Sequence, residues 1–245
     1  MRRVVVTAST RMELSELIPA ASALPFSGVG HLPLWRAELA GQELFIAQTG
    51  MGKANAACAA TLLCERLTPD LLVNTGCGGA FPGCGVGVGD IAVADAECFA
   101  DEGVLTPDGW RGLDLIGIPL YEGRGERVFN RVPLPLEPAR RALAHAAAEG
   151  FAAALGPFLT VSTCSGTSRR GEEMLRRFPG ICENMEGAAL AHVALIYGVA
   201  CLEVRGISNM VEDRDMSRWD LKRAVGEVQR FLFSLLKCPD ALFGS

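Results

Sequence analysis

Short apolar segments rich in β-branched residues alternate along the chain with longer segments in which apolar residues recur every three or four positions. The first kind predicts buried strands, and the second predicts helices that cover a sheet. The strand candidates are RVVVTA from Arg3, ELFIAQTG from Glu43, LLVNTG from Leu71, GDIAVADAE from Gly89, PFLTVST from Pro157, ICEN from Ile181 and VACLEVRGIS from Val199. This alternation predicts an α/β fold.

Four longer segments predict helices. One begins at about Met12, a second is the small-residue stretch KANAACAATLLCERL at 53–67, and a third follows Glu186 and ends at Gly198. A fourth is expected to begin near Ser217, because apolar residues then recur at helical spacing. Those residues are Leu221, Val225, Val228, Leu232 and Leu235.

Residues 122–138, EGRGERVFNRVPLPLEP, are rich in Gly, Pro and Arg and predict a long surface loop. Elsewhere the composition does not change abruptly and no segment repeats. We therefore expect residues 1–245 to form a single domain.

Composition narrows the class of protein. The formal net charge is −5 and the arginines are scattered, which argues against nucleic acid or an anionic membrane as the partner. The nine cysteines include no CxxC pair and only three histidines accompany them, so we expect no metal and no cofactor. The cysteine usage and the lack of a long apolar run favour a reducing cytoplasm.

Polar residues that directly follow a predicted strand are candidates for a site, because ligands of open α/β sheets collect beyond the carboxyl ends of strands. Glu13 follows the first strand, and Gly76, Gly78 and Gly79 follow the third. Glu13 could equally be a favourable charge in the first turn of a helix, and the glycines could form a structural turn. The glycines do not make a dinucleotide-binding motif, because a strand rather than a helix comes next.

Two further candidates lie near the carboxyl end of the chain. Glu186 lies at the N-terminus of a predicted apolar helix, where a buried carboxylate needs hydrogen-bond donors such as ribose hydroxyls. It could also be only a favourable charge at the helix N-terminus. Arg205 and Asn209 come where the last predicted strand ends. The charged run EDRD at 212–215 is interpreted as a solvated loop.

In this order along the chain, these groups of residues resemble the purine nucleoside phosphorylase and nucleosidase superfamily. The early glutamate, NTGCGGAF with GVGVGDIAVAD, ENMEGAALAH and VRGISNMV carry the resemblance, which spans about Val4 to Leu236. Within the superfamily, ECFADEGVLTPDGW and SNMVEDRDMSRWDLK look like the futalosine hydrolases, the nucleosidases of the futalosine route to menaquinone. The resemblance implies a three-layer α/β/α sandwich with a central mixed β-sheet, cleavage of an N-ribosidic bond, and a homodimer or higher homo-oligomer.

The resemblance also implies roles for individual residues. Glu13 matches the glutamate that orients the attacking water, Glu186 the glutamate that binds the sugar hydroxyls, and Arg205 an arginine that supports this acidic cluster. The matches to substrate-binding positions are Met185 against the sugar, Cys77 and Gly78 beside the sugar and base, Ser208 and Asn209 at the base, and Thr167 as a further contact.

Asn209 departs from the aspartate that adenine-releasing nucleosidases carry at this position. A 6-oxopurine presents two acceptors, N7 and O6, which an amide NH₂ can serve and a carboxylate would repel. Asn209 therefore predicts hypoxanthine as the leaving base. Since an amide cannot be a general acid, the base must be activated by hydrogen bonding as negative charge develops on it, or by a water.

Hydrolysis rather than phosphorolysis is predicted, because the loop TASTRME lacks the Gly-rich anion site of a phosphorylase. Futalosine carries a carboxyphenyl group on the 5′ side of its ribose, so we expect an apolar pocket and a cation. The aromatic candidates are Phe99, Phe81 and Phe158, and the cation candidates are Arg11 and Arg170. The alternatives are a purine nucleoside phosphorylase acting on inosine or guanosine, and a non-catalytic nucleoside-binding protein of the same fold.

Overall fold

A computed structural model describes residues 1–123 and 125–244 of the protein. The strands are β1 (Arg3–Ala8), β2 (Leu24–Phe26), β3 (Leu34–Leu39), β4 (Gln42–Gln48), β5 (Leu71–Ala80), β6 (Ile91–Phe99), β7 (Val104–Thr106), β8 (Gly109–Arg111), β9 (Tyr121–Gly123), β10 (Glu126–Val128), β11 (Arg131–Pro133), β12 (Ala153–Thr160), β13 (Cys182–Asn184) and β14 (Ala200–Met210). The helices are α1 (Leu17–Ala20), α2 (Lys53–Leu67), α3 (Leu136–Ala148), α4 (Ser168–Arg177), α5 (Gly187–Tyr197), α6 (Leu221–Leu236) and α7 (Pro239–Phe243).

Ten of these strands form one mixed sheet centred on β5. β5 pairs in parallel with β1 and β14 and antiparallel with the short strand β13. β14 then pairs with β6, β6 with β12, and β12 with β13, so five strands close into a ring. β4, β3 and β2 continue the sheet outward from β1. The sheet therefore has a closed part and an open part, and they share β5.

Alternating side chains of β1 show how the three layers arise. Val5 packs into an apolar cluster with α2 and α5, whereas Val4 and Val6 point to the opposite face and pack with α3 and α6. Because successive side chains of a strand face opposite sides, an all-apolar strand requires helices on both faces. Helices do cover both faces, so the expected α/β/α sandwich around a mixed sheet is confirmed.

The expectation of a long surface loop at 122–138 is wrong for the residues that the structure describes, and Arg124 lies outside them. This stretch contains β10, β11 and the start of α3. Val128, Asn130, Val132 and Leu134 are all buried, which is the two-residue period of a strand with one face inward. Arg131 and Pro133, two of the residues that suggested a loop, occupy positions between these buried residues.

The first and last predicted helices begin later than expected. Met12–Leu14 form only a 3₁₀ turn, and α1 covers Leu17–Ala20. A helix running on from Met12 would need an amide hydrogen at residue 19, which Pro19 lacks. Near Ser217 there is a second 3₁₀ turn, Met216–Arg218, and α6 begins at Leu221, where the side chain of Asp220 caps it by accepting from Arg223 N.

Candidate active site

A cavity of about 240 Å³ opens beside β5, β13 and β14. Thr167 and Phe99 do not line it, but eight other residues predicted for the site do: Glu13, Cys77, Gly78, Met185, Glu186, Arg205, Ser208 and Asn209. Clefts of about 480 and 400 Å³ lie elsewhere, at the β2–β4 edge and between α5 and the segment that follows β11. Neither holds any of the predicted residues, so the smaller cavity is the candidate active site.

Glu13 is fixed in the cavity wall by hydrogen bonds to both carboxylate oxygens. Oε2 accepts from the Ser9 hydroxyl at 2.7 Å, from Thr10 N at 2.9 Å and from the Thr10 hydroxyl at 2.8 Å. Oε1 accepts from Cys77 N at 3.0 Å and, more weakly, from the Cys77 thiol at 3.6 Å. The turn after β1 therefore saturates Oε2, while Oε1, with one strong and one weak donor, keeps capacity for a water.

Gly76 allows β5 to pass close to that carboxylate. Its φ is +147°, and a Cβ added there would overlap Oε1 of Glu13 and lie 2.9 Å from Nη1 of Arg205. The glycine is thus required by its neighbours as well as by its backbone conformation.

Glu186 lies at the N-terminus of α5, between two segments that hold it. Its Oε1 accepts from Gly52 N at 2.8 Å, and its Oε2 faces Nη2 of Arg205 at 3.4 Å. The backbone amides of Glu186 and Gly187 both donate to Oδ1 of Asn184. The carboxylate is therefore aimed into the cavity by contacts from the start of α2, from β13 and from β14.

Arg205 is the cation at the centre of the acidic groups, and only 1% of its surface is exposed. It contacts Oε1 of Glu203 through Nε at 3.0 Å and through Nη2 at 2.9 Å, and Nη1 donates to Cys77 O at 3.3 Å. Burial alone would lower the pKa of Arg205, but the carboxylates of Glu203, Glu186 and Glu13 outweigh it and raise the pKa above its ordinary value.

Arg205 also sets the charge of Glu13. Burial of Glu13 by itself would raise the pKa of this carboxyl group. The Arg205 charge and the hydrogen bonds from Ser9, Cys77 and Thr10 act in the opposite direction and prevail, so the pKa of Glu13 lies below its ordinary value. Glu13 is therefore an ionised acceptor at neutral pH.

Ser208 and Asn209 form the part of the wall where β14 ends. The Ser208 hydroxyl lies 2.8 Å from Oδ1 of Asn209 and 3.2 Å from Gly78 O, and the closer Oδ1 is the better acceptor for its single hydrogen. Nδ2 of Asn209 donates to Met210 O at 3.0 Å. The register of β14 against β5 shifts between Ile207 and Asn209. Oδ1 thereby has a donor in the wall, and one hydrogen of the NH₂ group is left for another acceptor.

Thr167 and Phe99 have other partners. The Thr167 side chain caps α4 by accepting from Arg170 N at 3.2 Å. Phe99 is buried edge-on against His192, with ring centroids 6.1 Å apart. The other aromatic and cationic candidates for the far end of the substrate are also placed outside the cavity wall.

Phe81 and Phe158 are fully buried in apolar clusters of the core. Arg11 stacks on Trp35 at 4.2 Å, and Arg170 pairs with Glu173 at 3.1 Å. Each of these four side chains therefore already has packing or ionic partners away from the cavity.

Several lining residues were not anticipated from the sequence. Arg214 and Trp219 line the cavity, and the guanidinium of Arg214 lies 4.5 Å from the ring centroid of Trp219. Arg214 belongs to the run EDRD that had been interpreted as a solvated loop. The available signal was Trp219, a large aromatic residue within an otherwise polar stretch.

Two buried carboxyl groups behind the cavity were also missed. Glu97 on β6 and Glu203 on β14 are fully buried. A charged residue inside an otherwise apolar strand was the signal that could have found them.

The described residues give no indication of a metal centre or a bilayer-spanning helix. In residues 1–123 and 125–244, no group of three or more His, Cys, Asp or Glu side chains is arranged to hold a metal ion. Of the helices in that same part of the chain, none has the length and apolarity needed to cross a bilayer.

Known proteins are similar to this chain in sequence and in fold. Residues 2–237 match the family model of the phosphorylase superfamily. The futalosine hydrolase of Thermus thermophilus is 33% identical over 202 residues, which is 82% of this chain and 84% of that protein. The futalosine hydrolase of Streptomyces coelicolor is 36% identical over 189 residues, which is 76% of this chain and 74% of that protein.

A solved structure supports the architecture. The 5′-methylthioadenosine/S-adenosylhomocysteine nucleosidase of Neisseria meningitidis, in complex with methylthio-immucillin-A, superposes with a TM-score of 0.83. It is 22% identical, and the match covers 97% of this chain and 99% of that one. This likeness concerns the fold.

Proposed function

The chain belongs to the phosphorylase superfamily, in which it is an N-glycosyl hydrolase, and we propose that its substrate is futalosine, from which it releases hypoxanthine. The observation that carries the proposal is the hydrogen bond from Ser208 to Oδ1 of Asn209. It leaves the amide NH₂ as the group that meets the leaving base. The NH₂ hydrogen that is not donated to Met210 O can serve N7 or O6 of a 6-oxopurine, and its donation strengthens as the departing base gains negative charge.

Glu13 is the group proposed to activate the attacking water. Its Oε2 is saturated by three hydrogen bonds, so a water would donate to Oε1 beside Cys77 and Arg205. A carboxylate that is already ionised can take the water's proton as the new C–O bond forms. General-base action of this kind contributes on the order of 10²- to 10⁴-fold to the rate.

Glu186 is proposed to bind the ribose hydroxyls. Gly52 N and Arg205 hold its carboxylate in the cavity wall, and Met185 beside it supplies an apolar surface for the sugar. Cleavage of a glycosidic bond passes through a state with positive charge on the sugar, which nearby carboxylates stabilise. Glu13 and Glu186 together provide that negative charge.

Arg214 replaces Arg11 and Arg170 as the proposed partner for the carboxylate on the 5′ side of futalosine. It is the lining arginine whose guanidinium lies over an aromatic ring, 4.5 Å from the centroid of Trp219, rather than against a carboxylate in the wall. Trp219 and Met51 offer apolar surface to the phenyl ring. Since Met51 is 64% exposed although it lines the cavity, we further propose that a second copy of the chain covers this side.

Phosphorolysis is less well supported than hydrolysis. Arg205 is engaged by Glu203 and Glu186, and Arg11 is stacked on Trp35 away from the cavity wall. A phosphate beside Glu13 would meet an ionised carboxylate, and the arginine nearest to it is already paired. Water, which is neutral and can donate to Glu13, is the nucleophile that this environment favours.

The test is hypoxanthine or adenine release from futalosine, inosine and 5′-methylthioadenosine, each with and without inorganic phosphate. We expect release from futalosine at a rate that phosphate does not change. Release from inosine only when phosphate is present would establish a phosphorylase. Preferential release of adenine from 5′-methylthioadenosine would overturn the role given to Asn209.

A further inference from the structure

Glu97 and Glu203 form a carboxyl pair that the proposed reaction does not use directly. Both side chains are fully buried, and neither lines the cavity. Glu203 lies behind Arg205, and Glu97 lies behind Asn184. The pair therefore contacts the two residues that hold Glu186 in place.

Three of the four oxygens of the pair accept hydrogen bonds from identified donors. Oε1 of Glu203 accepts from Asn74 Nδ2 at 3.1 Å and from Arg205 Nε at 3.0 Å. The oxygens of Glu97 accept from Asn184 Nδ2 at 2.8 Å and from the Thr160 hydroxyl at 2.7 Å. Oε2 of Glu203 is buried and has no donor among residues 1–123 and 125–244.

The two carboxyl groups converge at Gly187. A Cβ added to Gly187 would overlap Oε1 of Glu97 and both oxygens of Glu203. The free oxygen of Glu203 therefore lies next to an oxygen of Glu97, against the first turn of α5. Two ionised carboxylates in a buried site repel each other strongly, and an unpartnered buried acceptor is itself unfavourable.

We propose that Glu97 and Glu203 share a single proton and that the protonated pair positions Glu186 and Arg205. With the proton on Glu97, its hydroxyl donates to Oε2 of Glu203. That hydrogen bond supplies the missing donor and removes one of the two negative charges. The remaining charge stays on Glu203, beside the guanidinium of Arg205.

The surroundings of the pair favour this arrangement. Burial in the first place, and the Glu203 charge in the second, raise the pKa of Glu97 well above its ordinary value. Burial also raises the pKa of Glu203, but Arg205 and the hydrogen bond from Glu97 oppose this effect, so the single charge of the pair is better placed at Glu203 than at Glu97. The other charged and titratable groups that face the pair are Glu186, Cys98, Cys182 and Cys201.

The positioning part of the proposal rests on the proposed function. Asn184 connects Glu97 to Glu186, because it donates to Glu97 and accepts from the amides of Glu186 and Gly187 at 2.9 and 2.7 Å. Arg205 connects Glu203 to the Glu186 carboxylate. If the shared proton were lost, the repelling carboxylates would displace both connections at once.

The experiment uses Glu203→Gln, with Asp95→Asn as the matched control. The amide NH₂ of the glutamine replaces the shared proton as donor to Glu97, so the pair keeps one negative charge without a titrating proton. Asp95 lies on the same strand as Glu97 but pairs with the half-exposed Arg131 at 3.7 Å. We expect the infrared C=O band of a protonated carboxyl in the unaltered protein at neutral pH, and its loss in Glu203→Gln but not in Asp95→Asn.

Thermal unfolding gives a second readout. The folded protein keeps a proton that the unfolded chain has already released, so its stability falls as pH rises towards the folded pKa of Glu97. This fall in Tm should be smaller in Glu203→Gln than in Asp95→Asn. If Glu203→Gln keeps the infrared band, and its Tm falls with pH in parallel with that of Asp95→Asn, the proposal of a shared proton is refuted. Should Glu203→Gln not fold, Glu97→Gln is compared with the unaltered protein by the same infrared band.

Activity tests positioning separately. We expect kcat of Glu203→Ala to fall ~10- to 100-fold, as for misplaced reacting groups, and Glu203→Gln to restore most of it. Because loss of the shared proton would displace Glu186 and Arg205, we expect kcat of the unaltered protein to decline at alkaline pH, and we expect this decline to be absent in Glu203→Gln. Equal kcat losses in both variants would overturn the positioning role. A protein that releases no hypoxanthine from futalosine would refute the proposed function, whereas the infrared and thermal results would still decide the shared proton.

Discussion

The hydroxyl of Ser208 lies closer to Oδ1 of Asn209, at 2.8 Å, than to Gly78 O, at 3.2 Å, and its donation to Oδ1 orients the NH₂ end of that amide as the donor. Asn209→Asp should lower kcat for futalosine about 100-fold or more, the usual effect of removing a donor to a developing negative charge. The carboxylate would instead repel N7 and O6 of the base. The measurement is hypoxanthine release under saturating substrate, with adenine release from 5′-methylthioadenosine as the comparison. Full activity of Asn209→Asp on futalosine would contradict the argument by which Asn209 assigns hypoxanthine as the leaving base.

Glu13→Gln should lower kcat by about 10² to 10⁴ while KM changes little, because the glutamine keeps the shape of the side chain but cannot take a proton. Steady-state kinetics with futalosine measures both constants. Glu16→Gln is the matched control, since Glu16 follows closely on the same segment and its side chain is exposed. Similar losses of kcat in the two variants would show that an intact segment, and not general-base action by Glu13, accounts for the effect.

The acid side of the pH dependence should reflect the Glu13 carboxylate. Its pKa is lowered in the folded protein from an ordinary value of 4.5, so the folded state binds this proton less readily than the unfolded chain does. Glu13 therefore contributes stability that is fully present above the unfolded pKa and is lost as pH falls through the folded one. We expect Tm to drop over that acid range in the unaltered protein, and the drop to be smaller in Glu13→Gln.

Gly76→Ala should abolish most activity, because the added methyl group would occupy the space of Glu13 Oε1 and press on Arg205. Gly28→Ala is the control: Gly28 also has a positive φ, +118°, but a Cβ there meets open space. Both variants carry backbone strain on the order of 1–3 kcal/mol, so both should lose thermal stability. Only Gly76→Ala should also lose turnover at a temperature where both are folded.

Arg214→Ala should raise KM for futalosine about three- to tenfold and leave inosine unaffected. The range is modest because Arg214 is exposed and a surface ion pair contributes little. Arg11→Ala is the control, since Arg11 also stacks on a tryptophan but outside the cavity wall. An equal effect of Arg214→Ala on both substrates would show that this arginine does not recognise the 5′ end.

Much of this architecture could be predicted from the sequence, because apolar runs such as RVVVTA can only be buried on both faces of a sheet. The segment at 122–138 could not, since its buried positions are separated by Pro and Arg, and local composition conceals a period of two. The start of α6 at Leu221 also differs from the predicted start near Ser217. Its cap is Asp220, and the sequence alone does not distinguish Asp220 from the other acidic residues nearby.

In the candidate site, the predicted residues that follow strands line one cavity, because the fold brings strand ends together. Thr167 and Phe99 lie outside its wall, because one caps the helix that follows it and the other packs against His192, which is distant in sequence. Arg214 could not be chosen over Arg11 or Arg170 from the chain alone. All three lie in polar stretches, and only the position of Arg214 in the cavity wall, stacked on Trp219, distinguishes it.

The ring formed by β5, β14, β6, β12 and β13 has a consequence for how the protein acquires its activity. β14 pairs with β5 across a sequence separation of more than a hundred residues, and the groups around the cavity come from both. Contacts this distant in sequence form slowly, since a long loop must close before they stabilise anything. We therefore expect turnover to reappear only in the slowest phase of refolding, after most helical signal has returned. A chain still being synthesised would be inactive until β14 has emerged and closed the ring.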